Sequence, residues 1–278
     1  MNPVDDHLQK ARNLLENEKY QEAIQAYLEA LKLKPSDQQK GSIWAELSIV
    51  FYSMQEYERS IEAAQSTLAF DLPDMVKQNI FRTMGFCFAA LNKLDEAAEF
   101  FEKSLSLDRD SEKQQITIYE LIKVYFRQQK YKETEIQIKE VEGYFYQNNK
   151  EYWLSLLFYK GFIFYYLDQR DNAEKIFEEL LENAQDNPRK ATALFGLAFV
   201  SFARKDYLKT INLCEAVITH DANFFDMETI GFMTSASFFH LGRKDVFEKY
   251  FTELKKNYPQ GRYVEELDKL HQDGDGKE

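Results

Sequence analysis

Few residues of this sequence are spaced in a way that could support metal binding or covalent catalysis. The four histidines and two cysteines are scattered along the chain, at His7, His220, His240, His271, Cys87 and Cys214. None forms the His-x3-His or Cys-x2-Cys spacing that zinc sites use. Each cysteine lies in an apolar helical pattern, which indicates a buried thiol. The sequence therefore indicates no metal site.

Nucleophilic and phosphate-binding motifs are also missing from the sequence. The hydroxyl-rich stretch Thr234–Ser237 has no His and Asp partners nearby in sequence, so a triad is unsupported. No glycine-rich phosphate-binding loop is present. We therefore predict no catalytic residue and no cofactor, and expect that the protein is not an enzyme.

The composition narrows the classes of partner. The 278 residues carry a formal net charge of −12, which disfavours nucleic acid because phosphate binding needs a basic face. No run of about 18 uncharged apolar residues occurs, so membrane insertion is not expected. The first 20 residues lack a signal-peptide pattern. We expect a cytoplasmic protein unless a signal peptide has been removed.

The elements that must position any functional residue form a repeat. Gly (10) and Pro (5) are scarce, which favours helices. A small residue after a polar turn recurs at spacings of 37, 37, 37, 39, 37 and 37, with Phe in its place in the last unit: Ala23, Ser60, Ala97, Thr134, Ala173, Thr210 and Phe247. Each unit reads as two short amphipathic helices that bury their apolar faces only by stacking on neighbours.

These units resemble tetratricopeptide repeats, lengthened by three residues at the turn between repeats. The third unit carries Gly85, Phe88, Ala97 and Phe101, and the fifth carries Gly161 and Phe177 at matching positions. The resemblance implies an all-α fold: an α-solenoid, a right-handed superhelix of about seven helix-turn-helix repeats plus a C-terminal capping helix. We expect one solenoid over residues 4–260, with repeats starting near 4, 41, 78, 115, 154, 191 and 228. A capping helix at 261–272 and a disordered tail at 273–278 would follow.

The resemblance also implies which face meets a partner. In this family the first helix of each repeat, helix A, lines a concave groove, and the 3.6-residue period selects one stripe of it. The stripe is unusually aromatic from the third unit onwards. Its candidate partner-binding residues are Arg82, Phe86, Tyr119, Lys123, Phe126, Phe158, Phe162, Tyr165, Phe195, Phe199, Phe202, Phe232 and Phe239.

Three interpretations of this stripe stay open at the sequence level. It could pack adjacent repeats, receive the chain's own terminus or a second copy, or bind a protein or peptide partner. The prediction is a protein-binding scaffold or adaptor, with a self-associating scaffold or a sensor of a short signalling peptide as alternatives. The Lys and Asn pattern of chaperone-tail binding members is absent at Leu8, Arg12 and Asn79, which disfavours that partner.

Overall fold

The computed structural model describes residues 3–107 and 111–275, and over these ranges it contains fifteen α-helices and no strand. Its helices divide between two compact units, residues 1–141 (unit 1) and 142–278 (unit 2), with the boundary inside α8. The helices are α1 Pro3–Glu16, α2 Tyr20–Lys32, α3 Asp37–Ser53, α4 Tyr57–Leu68, α5 Asp74–Ala90, α6 Leu94–Leu107, α7 Ser111–Arg127, α8 Tyr131–Asn148, α9 Lys150–Tyr166, α10 Arg170–Asn183, α11 Asn187–Ala203, α12 Tyr207–His220, α13 Met227–His240, α14 Lys244–Asn257 and α15 Val264–Asp275.

Helices pair in chain order within each unit. In unit 1, α1 packs on α2, α3 on α4 and α5 on α6; in unit 2, α9 packs on α10, α11 on α12 and α13 on α14. Within the units some odd-numbered helices also contact the next one: α3 contacts α5, α9 contacts α11, and α11 contacts α13. We call the odd-numbered helices A helices and the even-numbered ones B helices. The all-α solenoid architecture predicted from the repeat is thereby confirmed.

The turn inside each helix pair has the same backbone geometry throughout. One residue per turn adopts a left-handed conformation, with φ between 58° and 74°. Its N–H and that of the next residue bond back to carbonyls in the last turn of the A helix, as in Gln55 to Tyr52 and Glu56 to Phe51 (both 2.9 Å). This is a Schellman-type helix end. The seven left-handed residues are Glu18, Gln55, Asn92, Gln129, Asp168, Lys205 and Gly242.

In unit 1, the small residues of the repeat bring helices close together. Ser60 on α4 is fully buried, and its hydroxyl donates to the Ser48 carbonyl of α3 at 2.7 Å. The Cys87 thiol of α5 lies 3.2 Å from the same hydroxyl oxygen. In the next pair, Gly85 leaves room for the ring of Phe101, which would lie 2.7 Å from an added methyl group.

In unit 2, small residues of two helices make room for a single aromatic ring. Phe177 of α10 is fully buried between Gly161 of α9 and Gly196 of α11. A methyl group on Gly161 would lie 2.5 Å from its ring, and one on Gly196 would lie closer still. The last pair, α13 and α14, places a large residue where the other units have a small one: Phe247 is buried on the B helix at that position. On the A helix, Gly231 lies against Leu254.

The C-terminal helix differs slightly from the expected boundaries. The capping helix expected at 261–272 is observed at Val264–Asp275, so residues 273–275 belong to the helix and not to the expected tail. Residues 276–278 of that tail lie outside the described residues. Residues 261–263 precede the helix because two turns lie there: the Gly261 N–H donates to the Tyr258 carbonyl at 3.0 Å and closes a turn over residues 259–260, and a second turn covers residues 262–263.

Candidate functional site

The predicted stripe of unit 2 forms a row of aromatic rings on the A helices α9, α11 and α13. From α9 to α11, Phe162 contacts Phe199 with ring centroids 5.3 Å apart, and Tyr165 contacts Phe199 at 5.5 Å. From α11 to α13, Phe202 contacts Phe232 at 6.0 Å. The structure therefore brings the predicted rings of successive A helices together. We call this set the unit 2 stripe: Phe158, Phe162, Tyr165, Phe195, Phe199, Phe202, Phe232 and Phe239.

Two members of the unit 2 stripe are core residues. Phe162 is only 4% exposed and Phe195 only 3%, so the expectation that they are accessible anchors is wrong. Phe162 packs on Phe177, with centroids 5.1 Å apart, and Phe195 packs on Phe224 at 4.9 Å. Their rings are covered by Phe177 of the B helix α10, by Phe224 of the α12–α13 loop and by neighbouring rings of the row, which a helical period alone cannot predict.

The other six members of the unit 2 stripe remain half-buried. Burial raises the pKa of the Tyr165 hydroxyl above its usual range. Half-buried rings that are fixed by their neighbours keep part of their apolar surface available. The accessible part of the stripe is therefore carried by Phe158, Tyr165, Phe199, Phe202, Phe232 and Phe239.

The unit 2 stripe is nearly free of charged side chains. On α11 no charged residue occurs from Ala191 to Ala203, and on α13 none occurs from Thr229 to Phe239. On α9 the interval from Tyr152 to Leu167 contains only Lys160, which pairs with Glu142 at 2.7 Å. By contrast, 29% of all residues in the chain are charged. This face therefore suits an apolar occupant, because a charge buried against it would lose its hydration without gaining a partner.

Phe225 is a candidate contact residue that the helical pattern missed. It lies in the loop between α12 and α13, is 70% exposed, and contacts Phe195 with ring centroids 5.8 Å apart. Its neighbour Phe224 is buried against the same ring. The "NFFD" sequence was the available signal, since two adjacent phenylalanines in a loop are unusual for a solvated turn.

The stripe is different in unit 1, where it mixes aromatic with polar side chains and its charges are mostly paired. Lys123 pairs with Glu120 at 2.6 Å and lies 5.2 Å from the centre of the Tyr119 ring. Arg82 donates to the Asn79 side chain at 2.9 Å. Tyr119 itself is 9% exposed, so it is a core residue and the expectation of an accessible anchor is wrong.

The remaining unit 1 rings of the prediction pack on their neighbours. Phe86 lies between Tyr52 of α3 and Phe101 of α6, with centroid distances of 5.8 and 5.3 Å. Phe126 contacts Tyr131 at 5.9 Å. Both Phe86 and Phe126 are half-buried. Unit 1 thus contributes a mixed polar and aromatic face, whereas the unit 2 stripe is almost entirely apolar.

Arg12, another stripe position of unit 1, forms an internal network. Its guanidinium binds Glu46 through two nitrogens, at 2.7 and 3.0 Å, and the buried Tyr27 hydroxyl donates to the same carboxylate at 2.7 Å. Burial and that hydrogen bond raise the pKa of Tyr27 well above its usual range. The network joins α1, α2 and α3, so Arg12 has a structural role here.

Outside the stripe, the described residues contain no group of three or more His, Cys, Asp or Glu side chains that could hold a metal ion. Both cysteines are buried, and burial raises the pKa of Cys214 to about 11. Such a thiol is unreactive at neutral pH. In the ranges that the structure covers, no helix is long and apolar enough to cross a membrane.

Comparison with known proteins agrees with this architecture. Three family models, each described as tetratricopeptide repeat, match residues 8–74, 83–111 and 155–187. This chain is a tetratricopeptide repeat protein, of a fold that generally mediates interactions between proteins and typically serves as a non-catalytic scaffold. No curated protein matches the sequence.

Three solved structures illustrate the similarity of fold. A tetratricopeptide repeat protein from Parabacteroides merdae is 14% identical, with a TM-score of 0.64 over 96% of this chain and 98% of its own. A Rap protein complexed with competence and sporulation factor is 11% identical, with a TM-score of 0.61 over 92% and 76%. YrrB, described as having an unusual peptide-binding site, is 16% identical, with a TM-score of 0.55 over 71% and 93%.

Proposed function

We propose that this chain is a non-catalytic adaptor that binds a peptide or helical segment of a partner protein on the unit 2 stripe. The observation that carries the proposal is the row of half-buried rings on three consecutive A helices, on a face almost without charge. Aromatic side chains, Phe among them, are enriched in protein interfaces relative to the rest of the protein surface. An apolar patch of this kind on a soluble surface usually marks an interaction site.

The rigidity of the rings supports this function. Phe199 contacts Phe162, Tyr165 and Phe195, so its position is set before any partner arrives. Preordered anchors reduce the entropy lost on binding, which improves affinity without adding contacts. YrrB and the Rap protein, by their descriptions, have a peptide-binding site or a bound factor. Their fold similarity makes a peptide a reasonable class of ligand for this chain.

The proposal is tested by selecting peptides and then removing stripe rings. The purified chain is used to select from a displayed library of random peptides of about 16 residues, long enough for a four-turn helix. Affinity for the best peptide is measured by calorimetry on the wild type and on Phe199→Ala/Phe202→Ala. We expect at least a tenfold loss in the variant, which corresponds to about 1.4 kcal/mol.

Two controls make the result interpretable. Leu208→Ala removes an exposed apolar side chain from the B helix α12 and should leave the affinity unchanged. Phe199→Leu keeps an apolar side chain at this position and replaces the double variant if that variant unfolds. If a selected peptide binds the wild type and the folded stripe variants equally, the stripe is not the binding site. A library that yields no binding peptide would also overturn the proposal.

A further inference from the structure

The loop between α12 and α13 presents one aromatic ring to solvent. Phe225 is 70% exposed, more than any other large apolar side chain among the described residues. Exposing a phenylalanine to this extent forgoes most of the stabilisation that its burial would give. Folding stability alone therefore does not explain why a phenylalanine is so exposed at this position.

The loop holds this ring in a defined place. The Asn223 N–H donates to the Asp221 side chain at 3.0 Å, and the Thr229 N–H donates to the Asp226 side chain at 3.2 Å. Arg262 also pairs with Asp226. Phe224, at 3% exposure, anchors the loop in the core. The hydrogen bonds and the ion pair of the loop thus hold Phe225 in its exposed position.

Phe225 adjoins the unit 2 stripe directly. Its ring centroid lies 5.8 Å from that of Phe195, which in turn lies 4.9 Å from that of Phe199. Phe225 and Phe199 therefore contact the same buried ring. The row of rings continues from the A helices into the loop.

The surroundings define what this surface would accept. The stretches Ala191–Ala203 and Thr229–Phe239 contain no charged side chain. The nearest loop carboxylate in sequence, Asp226, is already engaged by Arg262 and by the Thr229 N–H. A ligand charge placed among these rings would lose its hydration without compensation. The complementary ligand is uncharged at this point.

We infer that Phe225 is a partner-contacting residue that extends the binding site beyond the A helices, and that the occupant is a segment with uncharged aliphatic or aromatic side chains there. This inference rests on the proposed function and specifies its ligand. The segment lies across Phe199 and Phe225, whose rings both contact the buried Phe195.

The test uses the peptide selected on the wild-type chain, with Phe225→Ala compared against Leu208→Ala, which removes a side chain of similar exposure elsewhere. We expect Phe225→Ala to weaken binding about tenfold and leave the melting temperature unchanged, because an exposed ring contributes little to folding. Phe225→Leu should recover part of the affinity. Binding should change little between about 0.05 M and about 0.5 M salt, since salt screens only charged contacts.

Each contrary outcome has a distinct meaning. If Phe225→Ala binds normally while Phe199→Ala/Phe202→Ala does not, the inference is overturned and the proposed function stands. If neither variant changes the affinity, both are overturned. A fall in melting temperature with Phe225→Ala that accounts for the binding loss would assign the ring a structural role and overturn the inference. Strong salt dependence, or selection of peptides charged at their centre, would overturn the uncharged class of ligand.

Discussion

Phe232 on α13 and Tyr263, just before α15, stack face to face, with ring centroids 4.2 Å apart and planes inclined by 7°. The Tyr263 hydroxyl also lies 2.9 Å from that of Thr229. Tyr263 therefore occupies the place beside Phe232 that an aromatic ring of the next A helix would take. Tyr263 thus adds a ring to the row beside Phe232, which stays half-buried.

Removing this stack should destabilise unit 2. We expect Tyr263→Ala to lower the free energy of unfolding by about 2 kcal/mol, because it removes a half-buried ring, its stacking and one hydrogen bond. Tyr263→Phe keeps the ring and should cost at most about 1 kcal/mol. Urea unfolding followed by circular dichroism measures both. Equal effects of the two substitutions would show that the hydroxyl, and not the stack, holds the cap.

Close helix approach around Phe177 predicts a strong effect of a single methyl group. Gly196→Ala would place a methyl group inside the van der Waals radius of the Phe177 ring, and should destabilise the protein by about 2 kcal/mol. Gly143→Ala is the matched control, because a methyl group on that helical glycine meets nothing within 4 Å. It should stabilise by up to about 1 kcal/mol through helix propensity. The melting temperatures of both variants test this prediction. Shifts of the same sign would contradict the packing that we describe around Phe177.

The left-handed turn residues predict opposite effects of adding and removing glycine. Gln55 has φ of 60°, which is strained for a side-chain-bearing residue, so Gln55→Gly should stabilise the protein by about 0.5 to 1 kcal/mol. Gly242 has φ of 74°, and Gly242→Ala should destabilise by about 1 kcal/mol. Denaturant midpoints of the two variants, read against the wild type, check the pair. A loss of stability in Gln55→Gly would argue against a left-handed turn there.

The Glu174 carboxylate of unit 2 should make part of the folding stability depend on pH. Hydrogen bonds from Lys209 and then Arg204 hold the pKa of Glu174 below its ordinary value of 4.5. A lowered folded pKa means that the stabilisation is present above that ordinary value and is lost as the pH falls through the folded pKa. Glu174→Gln should therefore be less stable than wild type at pH about 7, with the difference shrinking towards pH about 3.

The control for this pH dependence lies on the same helix. Glu178 on α10 is exposed and takes part in none of these ion pairs, so Glu178→Gln should leave the pH profile close to that of the wild type. Urea unfolding at several pH values measures all three proteins. A constant difference between Glu174→Gln and the wild type across this range would contradict the predicted linkage.

Much of the architecture follows from the sequence because it is set by local rules. The 37-residue period, the helix pairs and the small residues at their contacts are all present in the pattern of residue types. The burial of Phe162 and Phe195 was not predictable in this way. Both lie on the stripe that the helical period selects, but neighbouring rings from other helices and from the loop cover them.

The sequence pattern also did not predict the left-handed turns or the proposed role of Phe225, for different reasons. The left-handed turns were missed because six of the seven residues are not glycine, so the usual signal is absent. Phe225 lies in a loop, outside the helical period that selected the other candidates. Its position depends on Phe224 and on hydrogen bonds between side chains and backbone, which no residue spacing specifies.

The measurement that tests the central claim most directly is the location of a bound peptide on the chain. A selected peptide carrying a photoreactive benzophenone is crosslinked to the purified chain, and the attachment sites are identified by mass spectrometry. We predict crosslinks to α9, α11, α13 and the loop at Phe225, which together carry the half-buried stripe rings and the exposed Phe225. Crosslinks confined to the B helices α10, α12 and α14, or to unit 1, would contradict binding on the unit 2 stripe.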